Sequence, residues 1–125
     1  MEKQIIQEKL KNIPSVAYYF DNNRLELAGR LIPENPEKIF RRVESWIKSH
    51  FEKNDALNVL IQLEYINSSS SECLFEILKQ LTFYKNSGKK IEITWRYEED
   101  DESMFELGEH YRDFVGVPIK IEMLL

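Results

Sequence analysis

The chain has 125 residues, of which 42% are hydrophobic and 31% charged, with only 4 Gly and 4 Pro. That is enough for one domain with a buried core, and too ordinary a composition for a disordered chain. A net charge of −5 gives nucleic-acid binding no electrostatic support, and no long apolar run or leader-like start points to membrane insertion or export, so a soluble, cytoplasmic protein is expected.

Residues 1–13 read two ways: Ile5, Ile6 and Leu10 suit a helical arm, while Gln4–Gln7 suits a short edge strand. Val16–Phe20 is rich in β-formers and stops at Asp21-Asn22-Asn23. Arg24–Leu31 then alternates, with Leu25, Leu27 and Leu31 on one face and Gly29 interrupting it, which predicts a β-hairpin. Asn35 is a good N-cap and Pro36 suits a first helical position. A first helix is therefore expected from Pro36 to about Lys53, facing inward through Ile39, Phe40, Val43, Trp46, Ile47 and Phe51. His50 on this helix has no second ligand at metal spacing and reads as a surface residue, as does His110.

Leu57–Ile66 is the strongest strand. Leu57, Val59, Ile61, Leu63 and Tyr65 share one face and Leu60 and Ile66 the other, the pattern of a central strand. The serines Ser68–Ser71 open a second helix that ends near Ser87, with Gly88 as its stop. Cys73, Leu74, Ile77, Leu78 and Leu81 form its stripe; Cys73, the single cysteine, reads as a buried thiol of a reducing compartment. Ile91, Ile93 and Trp95 alternate on the next strand. A third helix from about Asp101 to Phe114 turns Met104, Leu107, Tyr111 and Phe114 inward, with Gly108 allowing close packing; Pro118 precedes a last strand, Ile119–Met123. The order ββαβαβαβ predicts an α/β protein, a single domain over residues 1–125. Its sheet is mixed and mostly parallel, of about five strands, with three main helices and right-handed crossovers.

Two stretches carry chemistry. The serine run places hydroxyls where a strand gives way to a helix, beside free N–H groups that favour an anion. Serine is also a favoured cap, and Ser69 with Glu72 has capping-box spacing; one serine can cap while its neighbour Ser68 faces solvent. A phosphate on Ser68 adds a charge of about −1.5 to −2. The second stretch is acidic: from Glu92 to Glu109 eight acids stand against one base, Arg96. It lacks the spacing and central glycine of a calcium loop, so no metal is expected. It reads as solvated surface favouring the start of the third helix, or as a docking patch for a basic partner. The sequence has no Gly-rich phosphate loop, nucleophile elbow or Cys–His signature, so neither catalysis nor a cofactor is expected.

Three segments add a resemblance. They are Gly29-Arg30-Leu31-Ile32-Pro33-Glu34-Asn35-Pro36, Leu63-Glu64-Tyr65-Ile66-Asn67-Ser68-Ser69-Ser70, and Ile93-Thr94-Trp95-Arg96-Tyr97-Glu98-Glu99-Asp100-Asp101-Glu102-Ser103-Met104 running on to Glu106-Leu107-Gly108-Glu109. With these, in order over about Pro14 to Ile121, the chain resembles the SiaC-type bacterial regulatory phosphoproteins, relatives of the anti-sigma-factor antagonists with a STAS-like fold. The resemblance implies a non-enzymatic switch. A dedicated serine/threonine kinase phosphorylates the hydroxyl just after the motif's Asn and a PP2C-type phosphatase removes the phosphate. The unmodified protein binds and activates a target, in the best-known pathway a diguanylate cyclase controlling aggregation and biofilm formation. The acceptor falls on Ser68, with Ser69 and Ser70 as alternatives, and the partner surface on Asn67, Ser69, Ser70, Glu98, Glu99, Asp100 and Asp101. Two rival readings are a small-molecule or nucleotide sensor with a pocket at the strand C-terminal ends, and a small acid–base enzyme using the acidic tract.

Overall fold

Six strands and three helices form along residues 2–125, the part of the chain that the computed structural model describes; Met1 lies outside the described residues. In order they are β1 (Lys3–Gln7), β2 (Ser15–Tyr19), β3 (Arg24–Leu31), α1 (Pro36–Lys53), β4 (Ala56–Ile66), α2 (Ser68–Asn86), β5 (Lys90–Glu98), α3 (Glu102–Phe114) and β6 (Ile119–Leu124). The sheet order is β1-β2-β3-β4-β5-β6. The first two pairings are antiparallel and the other three parallel. Each helical crossover steps to the next strand in the same direction, so right-handed connections place all three helices on one face. The sixth strand, one more than expected, is β1. The ambiguous N-terminal stretch becomes an edge strand because its backbone pairs with β2 from Lys3↔Tyr19 to Gln7↔Val16. Its glutamines are also held from α1: Trp46 Nε1 donates to Gln4 Oε1 (3.0 Å) and Arg42 Nη1 to Gln7 Oε1 (2.7 Å).

The core lies between the sheet and the helices. Leu25, Leu27, Leu57, Val59, Ile61, Leu63, Ile91, Ile93 and Trp95 face it from the sheet, as the alternation predicts. At the end of β4 the alternation breaks. Gly29 pairs with Leu63, but the next pair is Arg30 with Tyr65, so Glu64 is an extra residue in a bulge. Gly29, at φ +118°, supplies the backbone conformation opposite it. The slip exchanges the faces expected for two residues. Ile66 comes into register with buried Leu31 and packs against the core, and Tyr65 is 53% exposed.

The helices largely follow their stripes, with four corrections. Asn35 occupies the N-cap of α1 and Pro36 its first turn, but the Asn35 side chain makes no capping bond. His50, expected at the surface, is buried. It stacks on Trp46, with centroids 4.9 Å apart, and its Nε2 donates to the Ala56 carbonyl at 2.8 Å. Residue 50 lies seven positions from Val43 and three from Ile47, on the shoulder of the apolar stripe, where the end of α1 meets the sheet. Cys73 sits on the corresponding shoulder of α2 and is only half-buried; desolvation first, then Glu37, Glu72, Glu44 and Glu76, push its thiol up. Phe114, expected inside, is exposed at the last position of α3, and Val117 is buried instead. The other end of α2 closes as expected: Gly88 follows it at φ +103°, with Lys89 N–H donating to Tyr84 O and Gly88 N–H to Lys85 O, both at 3.0 Å.

Candidate functional site: the corner between β4 and α2

At this corner the chain turns from strand to helix within one residue. Asn67 is the N-cap, extended at φ −90° and ψ 169°, and its Oδ1 accepts from Ser70 N–H at 3.0 Å. Its own N–H donates to the Leu31 carbonyl of β3 at 3.2 Å, which ties the corner to the neighbouring strand. The helix is therefore capped by Asn67 rather than by the expected Ser69–Glu72 box, and the four serines fill its first turn. Ser68 and Ser69, at the first two helical positions, are both exposed. Ser70 is wholly buried, and its Oγ has no hydrogen-bond partner among the described residues. A kinase or a partner surface cannot reach that hydroxyl while α2 is formed, which removes Ser70 from the exposed surface expected of it. Ser71 is tied to α3. The Tyr111 hydroxyl donates its single proton to the Ser71 carbonyl (2.8 Å), so Ser71 Oγ donates to Tyr111 Oη (2.7 Å).

Because β5 lies beside β4 and parallel to it, the acidic tract emerges at the same end of the sheet. Its members divide there. Glu98, Glu99 and Asp100 are exposed. Asp101 is half-buried and caps α3, its Oδ1 accepting from Met104 N–H at 3.0 Å. Only Asp101 of these four lines the cleft beside the serines, a hollow of about 390 Å³ walled by Glu64, Tyr65 and Ile66 of β4, Asn67, Ser68 and Ser71 at the corner, and Ser103, Met104 and Leu107 of α3. Gly108 fixes how closely α3, which forms the far wall, approaches β5. A Cβ there would stand 2.6 Å from Trp95 Cδ1, so glycine lets α3 lie directly on the indole, whose Nε1 donates to the Met104 carbonyl at 2.9 Å.

Of the residues expected at the site, the cleft brings together Asn67, Ser68 and Asp101; Tyr65, Ser71, Met104 and Leu107, which the sequence did not point to as neighbours, join them, and Tyr111 is bonded to Ser71. The bulge conceals Tyr65, and the Ser71–Tyr111 bond spans forty positions. The same register brings Arg30 over the Tyr65 ring, at 5.8 Å from its centroid; the stretch Glu64–Ile77 itself holds no Lys or Arg. Larger hollows, of about 470 and 550 Å³, lie at the start of α1 and around Trp46 and His50. Volume alone therefore does not single out the cleft. Among the described residues no group of three or more His, Cys, Asp or Glu is placed to hold a metal ion, and no helix is long and apolar enough to cross a membrane.

The model of the SiaC family of regulatory phosphoproteins matches residues 6–124. The chain belongs to that family. It is 26% identical over 113 residues, 90% of each chain, to an uncharacterised protein of Pseudomonas aeruginosa strain UCBPP-PA14. Its fold is that of apo-SiaC from Pseudomonas aeruginosa, with a TM-score of 0.85 at 24% identity over 98% of this chain and 99% of that one. It is similar also to the structure of the diguanylate cyclase SiaD in complex with its activator SiaC, from the same organism, with a TM-score of 0.83 at 24% identity, covering 93% of this chain and 96% of that one. The family is a regulatory one, and the mixed sheet with three helices agrees with the fold class expected from the sequence.

Proposed function

We propose that this member of the SiaC family is a partner switch set by phosphorylation of Ser68. A serine/threonine kinase adds the phosphate and a PP2C-type phosphatase removes it. The unmodified protein binds and activates a diguanylate cyclase in the cytoplasm, and the chain catalyses nothing itself. The observation that carries this reading is the placement of Ser68: an exposed hydroxyl at the first position of α2, on the rim of the cleft, where the free N–H groups of the first turn tolerate a dianion. The family's character as regulatory phosphoproteins supports the modification, and the complex in which SiaC is the activator of SiaD supports the kind of target. Among the described residues no lysine or arginine lines the cleft. A phosphate therefore has no cation within it to fold onto, and acts by changing what can pack against the corner. Glu98, Glu99 and Asp100, exposed at the same sheet end, make that edge negative already.

The test combines site mapping with reconstitution. Fragment mass spectra of the protein from growing cells should place one phosphate on Ser68. With the cognate cyclase, Ser68→Ala should stimulate product formation constitutively, and Ser68→Asp should neither bind nor stimulate. Phosphate confined to Ser71 or Ser87, or a cyclase that binds the phosphorylated form more tightly, overturns the reading.

A further inference from the structure

The sheet is open, and its two edges differ. β1 is irregular: its register with β2 shifts between Ile5 and Gln7, and the Gln4 and Gln7 side chains are engaged from α1. A bulged and clamped edge is a poor template for another strand. β6 is the regular edge. Its register with β5 runs unbroken from Ile93↔Ile119 to Glu98↔Leu124. Among the described residues β5 is the only backbone partner of β6, so the outer row of N–H and C=O groups on β6 is open. The same register sets its faces. Ile119, Ile121 and Met123 share the helix side with Ile93, Trp95 and Tyr97, while Lys120, Glu122 and Leu124 lie on the side without helices. Met123 is 41% exposed there, an apolar side chain at the rim of the core.

The order of side chains along this edge is self-complementary. An antiparallel pair of β6 strands centred on Ile121 sets Lys120 of each copy opposite Glu122 of the other. On the helix side the two Ile121 side chains meet at the axis, and each Met123 lies opposite Ile119 of the other copy. Parallel pairing in register would set lysine on lysine and glutamate on glutamate, which repel. A lysine on an edge strand ordinarily blocks pairing; in the antiparallel register this one finds an acid. Both charges have capacity to spare. Lys120 makes no ion pair among the described residues, and Glu122 meets only Arg96, at a long 3.7 Å. Arg96, Glu122 and Lys120 of the other copy then alternate in sign across the joined sheet. We propose that β6 is a self-association edge, through which two copies of this chain pair about a two-fold axis perpendicular to the sheet. The contact is isologous and occupies the one regular edge of each copy, so it stops at a dimer. β5 stands between β6 and β4, so the Ser68 corner of each copy stays open. The strands of one copy run against those of the other, which puts the two corners at opposite ends of the joined sheet.

One strand and its flanking side chains make a small interface, so the dimer forms as concentration rises. In sedimentation equilibrium of the full chain, from about 10 µM to about 1 mM, the mass should climb from 15.0 kDa toward twice that value. Amides of Ile119–Leu124 should shift with concentration in ¹⁵N spectra. Lys120→Glu changes an exposed side chain and makes both cross-strand pairs repulsive. Its spectrum should stay dispersed, and its dimer should weaken about ten- to hundredfold, the size expected when two exposed pairs turn from attraction to repulsion. Glu122→Lys should weaken the dimer likewise. The double variant Lys120→Glu with Glu122→Lys should restore it, because the pairs are then exchanged rather than lost, and an equimolar mixture of the two single variants should form a heterodimer. A merely structural role for either residue gives no such rescue. A mass of 15.0 kDa at every concentration overturns the proposal and leaves the edge to a strand of another protein. A dimer that Lys120→Glu leaves intact, or whose shifts fall on β1 or α1, overturns it too, as do a double variant and a mixture that both stay monomeric.

Discussion

At Ser70 a hydroxyl is buried with no partner among the described residues, and leaving such a group unsatisfied costs about 1–3 kcal/mol. Ser70→Ala removes the cost and keeps a good helix former. It is expected to raise unfolding free energy by roughly 1 kcal/mol in urea titrations; a fall would mean that Oγ has a partner in solution. Gly108→Ala faces opposed effects. Alanine gains about 1 kcal/mol of helix propensity, but its Cβ meets the buried Trp95 indole at 2.6 Å, and overpacking costs typically about 1–3 kcal/mol. The indole is pinned by its bond to Met104 and cannot swing away, so a net loss of stability is expected. Tyr111 sets a pH dependence. Burial pushes its hydroxyl from the ordinary 10.0 up to about 12, against the pull of the Ser71 hydrogen bond. A folded value above the unfolded one means that its stabilisation is complete below pH 10.0 and is lost as pH rises through about 12. At 1.36 kcal/mol per unit that is roughly 2–3 kcal/mol. Tyr111→Phe should flatten this alkaline fall, measured as melting temperature against pH, while lowering stability at neutral pH by about 1–2 kcal/mol for the bonds to Ser71.

At the scale of the elements, α2 separates capping from signalling. Asn67 is the residue whose side chain bonds the first turn, so Asn67→Ala should cost about 0.5–2 kcal/mol. Glu72→Ala should change stability by less than about 0.5 kcal/mol, since the expected box with Ser69 does not form. Leu78, wholly buried in the stripe of α2, should cost about 2–5 kcal/mol on Leu78→Ala. Guanidinium titrations of the three proteins order these effects. The stripes of α1 and α2, the alternation of β3 and β5 and the glycine stop of α2 were legible in the sequence because each is a local period. The bulge at Glu64 was not, since one inserted residue leaves the composition of the strand unchanged while moving Tyr65 and Ile66 to opposite faces. His50 was not, because its burial depends on Tyr18 of β2 and the Ala56 carbonyl of β4 meeting it beside the Trp46 and Phe51 rings of its own helix.

For the whole molecule, a substitution at Ser68 is expected to be nearly silent in folding. The residue is exposed at the start of a helix that Asn67 already caps, and a negative charge there suits the helix N-terminus. Ser68→Asp should keep the melting temperature of the unmodified chain within a few degrees in calorimetry, and a large drop would make Ser68 a structural residue. From the sequence by itself came the α/β class, the order of strands and helices from residue 15 onward, the serine corner and the family. These rest on periodicity, turn chemistry and motifs in neighbouring positions. Only the tertiary structure decided that residues 3–7 join the sheet, that Asp101 alone of Glu98–Asp101 lines the Ser68 cleft, that Ser70 is sealed away while Ser68 is open, and that Ser71 is bonded to Tyr111. The first depends on β2 and α1 and the others on which surfaces meet once β4, β5, α2 and α3 have packed, and no local window contains both partners of a contact made forty residues apart.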